Sequence, residues 1–243
     1  MSARVLVVIR KEFREYRRNR FILVTMAGLP IVLLSILVAE TFALPKGISE
    51  AELRRPVGEA LLFLQLIPVM LPTTIAAYAV MGEREQRTLE TVLTTPVTDR
   101  ELLAGKAIAA VLPAVAISWL LFGVYVGLAE ILAPHVVVSQ IWTIEQAVAM
   151  ALLAPALAGF AIGVGILVSL RSSDFRVAQQ LAVLAAAPVI GFVALITFRV
   201  IDPSVALYAA AAAAVFLIDT VCWRFGIRLF NRERLITAKP TDR

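Results

Sequence analysis

The sequence predicts an all-α integral membrane protein with six transmembrane helices, and three observations lead to that prediction. Of the 243 residues, 60% are hydrophobic and 17% are charged, whereas a soluble domain has roughly 45–50% apolar and about 25% charged residues. The apolar residues are gathered in long runs, and most basic residues lie between alternate runs. A soluble enzyme is therefore excluded. A single Cys and a single His exclude an internal disulfide and most His-based metal centres, so we expect no metal site.

The apolar runs have the length of about 20 residues that a helix needs to cross a bilayer. The six predicted spans are Phe21–Ala43, Leu61–Met81, Ala107–Ala129, Ala147–Leu170, Gln179–Phe198 and Pro203–Trp223. Prolines interrupt several of them. We interpret these prolines as packing kinks, which spanning helices tolerate when neighbouring groups satisfy the freed backbone. Together the spans predict one transmembrane domain over residues 1–243.

The basic residues predict the orientation of the chain. Nineteen of the 23 Lys and Arg residues lie in segments 1–20, 82–106, 171–178 and 224–243. Because short cytoplasmic loops carry an excess of Lys and Arg, we expect these segments, and with them both termini, on the cytoplasmic side. The net charge of +5 would otherwise suggest nucleic acid as a partner. Its one-sided distribution removes that argument, and we expect no nucleic acid to bind.

The N-terminal segment over residues 1–20 is too charged to cross the bilayer, but it is periodic. Val5, Ile9, Phe13 and Tyr16 fall on one face at helical spacing, and basic residues surround them. This pattern is typical of an amphipathic helix that lies in the membrane interface and contacts lipids. The alternative interpretation is a basic leader that only sets the orientation.

The loop after the second span contains signals for two more helical segments. An apolar stripe at i, i+3 and i+4 runs over residues 89–93, and Pro96 ends that helix because the residue before a proline avoids the α region. Thr98 and Glu101 have the spacing of a capping box, which predicts a new helix leading into the third span. Residues 82–97 thus predict a short helix along the membrane. A solvated connector that rests on the bilayer or on the bundle is the alternative.

Few strongly polar residues lie within the predicted spans. Gln65 lies well inside the second span, where it either faces a conduit or forms a hydrogen bond between helices. Asp219 is expected to form an ion pair with Arg224 near the inner interface, and the step from Gly159 to Gly163 is typical of close helix packing. Ion-coupled secondary transporters normally need a relay of buried carboxylates. The scarcity of such carboxylates in the predicted spans favours a lipidic, amphiphilic or bulky cargo.

Residues 83–106 read EREQRTLETVLTTPVTDRELLAGK. This segment resembles the cytoplasmic signature of the type-two family of ATP-binding-cassette permeases, in which a charged E-x-E run precedes G-T-L-E-x-L-L, a proline and a capped helix ending in Gly-Lys. Arg87 stands where the family usually has glycine, and Val92 replaces a leucine. Weaker resemblances to the family's elbow helix, to the loop into its fifth span and to its tail occur at residues 9–20, 172–180 and 229–235.

The resemblance implies a permease subunit of an ATP-driven exporter in the cytoplasmic (inner) membrane of a prokaryote, with two copies forming a homodimer. It implies that residues 1–20 form the elbow helix. Residues 82–97 would form the coupling helix, which sits in a groove of a separate ATP-binding-cassette ATPase subunit. Carried onto this chain, the docking surface consists of Glu83, Arg84, Glu85, Arg87, Thr88, Leu89, Glu90, Leu93 and Pro96.

The chain itself lacks the sequence of a nucleotide site. Its Gly105–Lys106 pair has Arg100 where a Walker loop needs its first glycine and Ala107 where it needs Ser or Thr. We therefore expect ATP and Mg²⁺ to bind to the partner ATPase and no cofactor or catalytic residue on this chain. Two alternatives remain: a membrane enzyme acting on lipid or peptide, and an ATP-independent channel or scaffold.

Overall fold

The computed structural model describes residues 2–43, 49–85, 97–169 and 175–229. Within these residues the chain forms nine α-helices and one short π-helical segment, and no strand. The helices are α1 (Ala3–Arg18), α2 (Arg20–Phe42), α3 (Glu50–Glu85), α4 (Asp99–Leu132), α5 (His135–Ile141), α6 (Ile144–Val148), α7 (Ala154–Ser169), α8 (Phe175–Thr197) and α9 (Val205–Leu229). The π-helical segment, Ala149–Leu153, joins α6 to α7.

Six stretches of the described residues are long and apolar enough to cross a membrane. They are Ile22–Thr41, Arg55–Thr73, Asp99–Leu132, Ile144–Val168, Gln179–Thr197 and Val205–Arg228. The prediction of an all-helical protein with six spanning helices is thereby confirmed. At 1.5 Å per residue, the 34 residues of α4 extend over about 51 Å. Because a bilayer's hydrocarbon core is about 30 Å thick, α4 is long enough to continue beyond it.

The described part of the chain has one apolar cluster at each end of the bundle and a third among α7, α8 and α9. The first cluster joins α1 to the start of α2, the start of α4 and the end of α9, and we call this region (residues 3–26, 97–111 and 223–227) the basic end. At the opposite end the hydroxyl groups of Thr41 and Tyr125 lie 2.9 Å apart. The spans of α3 and α7 are mostly buried within the bundle, whereas less than a quarter of each span in α2, α8 and α9 is buried.

The fourth span is irregular because of Pro155. In the π-helical segment the N–H of Ala154 donates to the carbonyl of Ala149, and Pro155 has no N–H to give to the carbonyl of Met150. The indole N–H of Trp119 on α4 supplies the missing hydrogen bond to Met150 at 2.8 Å. The proline thus opens the helix, and a side chain from the neighbouring helix satisfies the freed carbonyl.

Candidate functional site

The predicted docking surface is only partly within the described residues. The stretch Gly82–Glu85, which we assigned to the coupling helix, forms the last turn of α3. Residues 86–96, which include six of the nine predicted docking residues, lie outside the described part of the chain. The helix that follows is described from its first residue, and its N-terminus leads directly out of this segment.

The capping box predicted at the start of α4 is confirmed. The backbone N–H of Glu101 donates to the Thr98 hydroxyl at 3.3 Å, and the backbone N–H of Thr98 donates to the Glu101 carboxylate at 3.1 Å. The same carboxylate accepts a hydrogen bond from the Ser2 hydroxyl at 2.8 Å and lies 3.7 Å from the Arg4 guanidinium. The acid of the capping box therefore also holds the N-terminus of α1.

The apolar face predicted for the N-terminal helix packs against α4. Val5, Ile9 and Tyr16 are buried in the cluster of the basic end, and Phe13 packs against it. At the crossing, a Cβ on Gly105 would lie 2.5 Å from Cγ1 of Val8, a distance that real Cβ atoms do not reach. Glycine is thus required for this close approach. The contact is with the protein's own helix, which differs from the prediction that this face rests on lipid.

A buried ion pair lies in the centre of this interface. The ammonium group of Lys106 on α4 donates to the carboxylate of Glu12 on α1 at 2.9 Å, and the two side chains are 6% and 2% exposed. Lys11 lies 3.6 Å from the same carboxylate oxygen. Our reading of the sequence missed this pair. Its signal was present: Glu12 lies on the apolar face of α1, and Lys106 follows the buried Leu102 and Leu103 at helical spacing.

The predicted pathway residue Gln65 is buried in α3, with 2% of its surface exposed. Among the residues that the structure describes, neither its amide nitrogen nor its carbonyl oxygen has a hydrogen-bond partner. Leu62 and Val69, which share its helical face, pack in the cluster of α7, α8 and α9. The hydrogen bond between helices that we considered for Gln65 is not formed. Its role in a conduit stays a prediction.

We predicted an ion pair between Asp219 and Arg224. Among the contacts of the described residues, this ion pair is not formed. The carboxylate turns instead toward α7. A Cβ on Gly159 would lie 2.9 Å from its Oδ2 atom, and a Cβ on Gly163 would lie 3.0 Å from its Oδ1 atom. The glycine step therefore does bring two helices together, as predicted, but what fills it is a charged side chain.

Within the described residues there is no cluster of three or more His, Cys, Asp or Glu side chains that could hold a metal ion. Two sets of polar groups differ in their pairing. At the interface of α1 and α4 the buried charges of Glu12 and Lys106 are paired. In the interior of the spans, Gln65 and Asp219 have no hydrogen-bond partner among the described residues.

A family model described as ABC-2 family transporter protein matches residues 6–203. The match begins in α1, includes the segment between α3 and α4 and ends before α9. No curated protein matches the chain. Since the model covers most of the 243 residues, this membrane protein belongs to the ABC-2 transporter family.

Proposed function

We propose that this chain is the permease subunit of an ATP-driven exporter and that a separate ATP-binding-cassette ATPase docks on residues 83–96. The family supports a transport role. The observation that carries the proposal is the arrangement around the start of α4. The docking segment leads into a capped helix, and that helix is joined to α1 by a buried ion pair. A movement of the docked ATPase would therefore displace α4 and α1 together, as a rigid lever.

The basic end is then the cytoplasmic face of an inner membrane. Most basic residues of the sequence lie in segments that border this end, as the distribution of Lys and Arg in membrane proteins favours. Labelling of a cysteine at Ser2 in a Cys222→Ser background tests this orientation. A membrane-impermeant reagent should react with inverted vesicles and not with intact cells.

A second copy of the chain and lipid together would cover the helices that one copy leaves exposed. Helices α2, α8 and α9 show little burial within a single chain. We propose a homodimer bound to two ATPase subunits, and the mass of the complex purified in mild detergent tests this stoichiometry.

Replacing both Leu89 and Leu93 with Asp tests the docking surface, since it places charges on the predicted apolar anchor of the coupling helix. A tagged wild-type chain purified from its native membranes should retain Mg²⁺-dependent ATP hydrolysis, and the double variant should lose this activity and ATP-driven transport. Val200→Asp is the matched control, because Val200 is an exposed apolar residue outside the basic end. Retention of the ATPase by the double variant would refute the docking surface.

The purified chain also distinguishes the proposed permease from the two alternative functions, a channel and a membrane enzyme. Flux through the purified chain alone in liposomes without ATP would assign a channel. Turnover of a lipid or peptide by the chain alone would assign a membrane enzyme.

A further inference from the structure

The face of α9 that packs on α7 forms a seam of small residues with one exception. Its members recur at helical spacing, and they are Ala211, Ala212, Val215, Asp219, Cys222 and Gly226. The first three are buried, and Gly226 packs against Leu167 of α7. A small apolar residue would continue this seam at position 219. The chain has a carboxylate there instead.

Two glycines of α7 make the space for that carboxylate. Its Oδ2 atom occupies a point 2.9 Å from where a Gly159 Cβ would lie, and its Oδ1 atom lies 3.0 Å from the corresponding point at Gly163. Cys222 is next to the same recess, with its Cβ 3.6 Å from the Cβ position of Gly163. Asp219 and Gly159 are each only partly buried, so the recess is open on one side.

A carboxylate at this position is costly, because it lies in a spanning stretch and is partly buried between two helices. Asp219 has no hydrogen bond or ion pair among the contacts of the described residues. Intramembrane ionisable groups face a pathway or meet a partner of opposite charge. The described part of the chain supplies no such partner to Asp219, which leaves its carboxylate available to a ligand.

We propose that Asp219, Gly159 and Gly163 form a binding site for the ammonium group of an amphiphilic substrate. A single carboxylate forms a charge-assisted hydrogen bond with an ammonium N–H, whereas a hard metal ion needs about six or more oxygen ligands. One turn before Asp219 and on the same side of α9, the apolar side chain of Phe216 is exposed. An alkyl chain can thus stay in the hydrocarbon while its head reaches Asp219. This site rests on the proposed transport function, whose cargo it assigns to a chemical class.

Binding of two probes to the full chain in lipid nanodiscs, without ATP or ATPase, tests the site. The probes are dodecylammonium and the uncharged dodecanol, each measured against protein-free nanodiscs. The wild type should bind dodecylammonium saturably. Asp219→Asn should weaken that binding by at least about tenfold, the loss expected for one charge-assisted hydrogen bond, and leave dodecanol unchanged. Glu130→Gln is the control, since Glu130 is an exposed carboxyl on α4.

Gly159→Ala provides a second variant in which the charge is kept. The added Cβ would displace the flexible carboxylate rather than backbone, so the fold should persist while dodecylammonium binds several-fold more weakly. Full dodecylammonium binding by Asp219→Asn, or equal weakening for both probes, would overturn the site. The Leu89→Asp/Leu93→Asp variant separates this proposal from the transport function. It should keep dodecylammonium binding while it loses ATP-driven transport, and normal transport by that variant would count against the docking surface alone.

Discussion

The interface of α1 with α4 and the seam of α7 with α9 each contain an acid between two helices, but only the acid of the first interface has a partner of opposite charge. Glu12 is matched by Lys106 at 2.9 Å, and a glycine on α4 lets the two helices approach closely. Asp219 also lies against glycines, yet those glycines make room for the acid and supply no charge to balance it.

The difference separates a group that holds the fold from a group that is available for binding. Removing one partner of a buried ion pair destabilises the fold strongly, because the other charge is left buried and uncompensated. A buried polar group without a partner costs free energy in the folded state, so its removal stabilises the protein while any ligand contact is lost. Gln65, with both amide atoms unsatisfied, belongs with Asp219 in this respect. Four substitutions test the distinction.

The largest effect is expected for Lys106→Met. The substitution removes the closer and more buried of the two lysines at Glu12, with Lys11 remaining 3.6 Å away, and should destabilise the protein by up to about 3–5 kcal/mol. The double variant Glu12→Leu/Lys106→Met should recover most of this loss, because both charges are then absent. Denaturant unfolding in detergent, followed by circular dichroism, measures both. Arg10→Met, at an exposed basic residue of α1, is the control. A loss for Lys106→Met no larger than for Arg10→Met would mean that the pair does not hold α1.

Gly105→Ala should destabilise by about 1–3 kcal/mol, since its Cβ would overlap Val8 and push α1 away from α4. Gly123→Ala is a matched control on the same helix, where a Cβ meets nothing within 4 Å. Alanine should stabilise the helix there by up to about 1 kcal/mol. Thermal unfolding of the two variants compares them directly. Equal shifts in Tm would show that close approach at Gly105 contributes nothing.

Gln65→Met should stabilise the protein, whereas Lys106→Met and Gly105→Ala should destabilise it. It removes a buried amide that has no partner and should raise the free energy of unfolding by about 1–2 kcal/mol. Gln140→Met is the control, because Gln140 accepts a hydrogen bond from Arg199 at 2.8 Å and should gain no stability. If transport falls while stability rises, Gln65 belongs to the pathway. Unchanged transport would leave it as a packing residue.

The smallest effect, about 1 kcal/mol of destabilisation, is expected for Trp119→Phe. This variant keeps a ring and removes the N–H that satisfies Met150, and hydrogen bonds between membrane helices are worth about 0.6 kcal/mol on average and up to about 1.7. Trp142→Phe is the control, because its ring is exposed and packs against Phe122. Comparable Tm values for the two variants would contradict the role of the indole.

Much of the architecture could be predicted because its causes are local. The length of an apolar run decides whether a helix can cross a bilayer, and the spacing of Thr98 and Glu101 decides where α4 begins. The apolar stripe of α1 was also visible. Its partner was not, since periodicity shows that a face will be buried but not what covers it. We expected lipid, and the structure places α4 there.

The sequence by itself therefore determined that the protein lies in a membrane, that it has six spans and where α4 begins. It also determined the family that residues 83–106 resemble. Tertiary structure alone decided which polar groups are paired. Glu12 and Lys106 are 94 residues apart, and Asp219 faces glycines of a different helix and not the nearby Arg224. The reason is physical: backbone hydrogen bonds and hydrophobic length act within one segment, whereas the partner of a buried side chain depends on how separate helices pack.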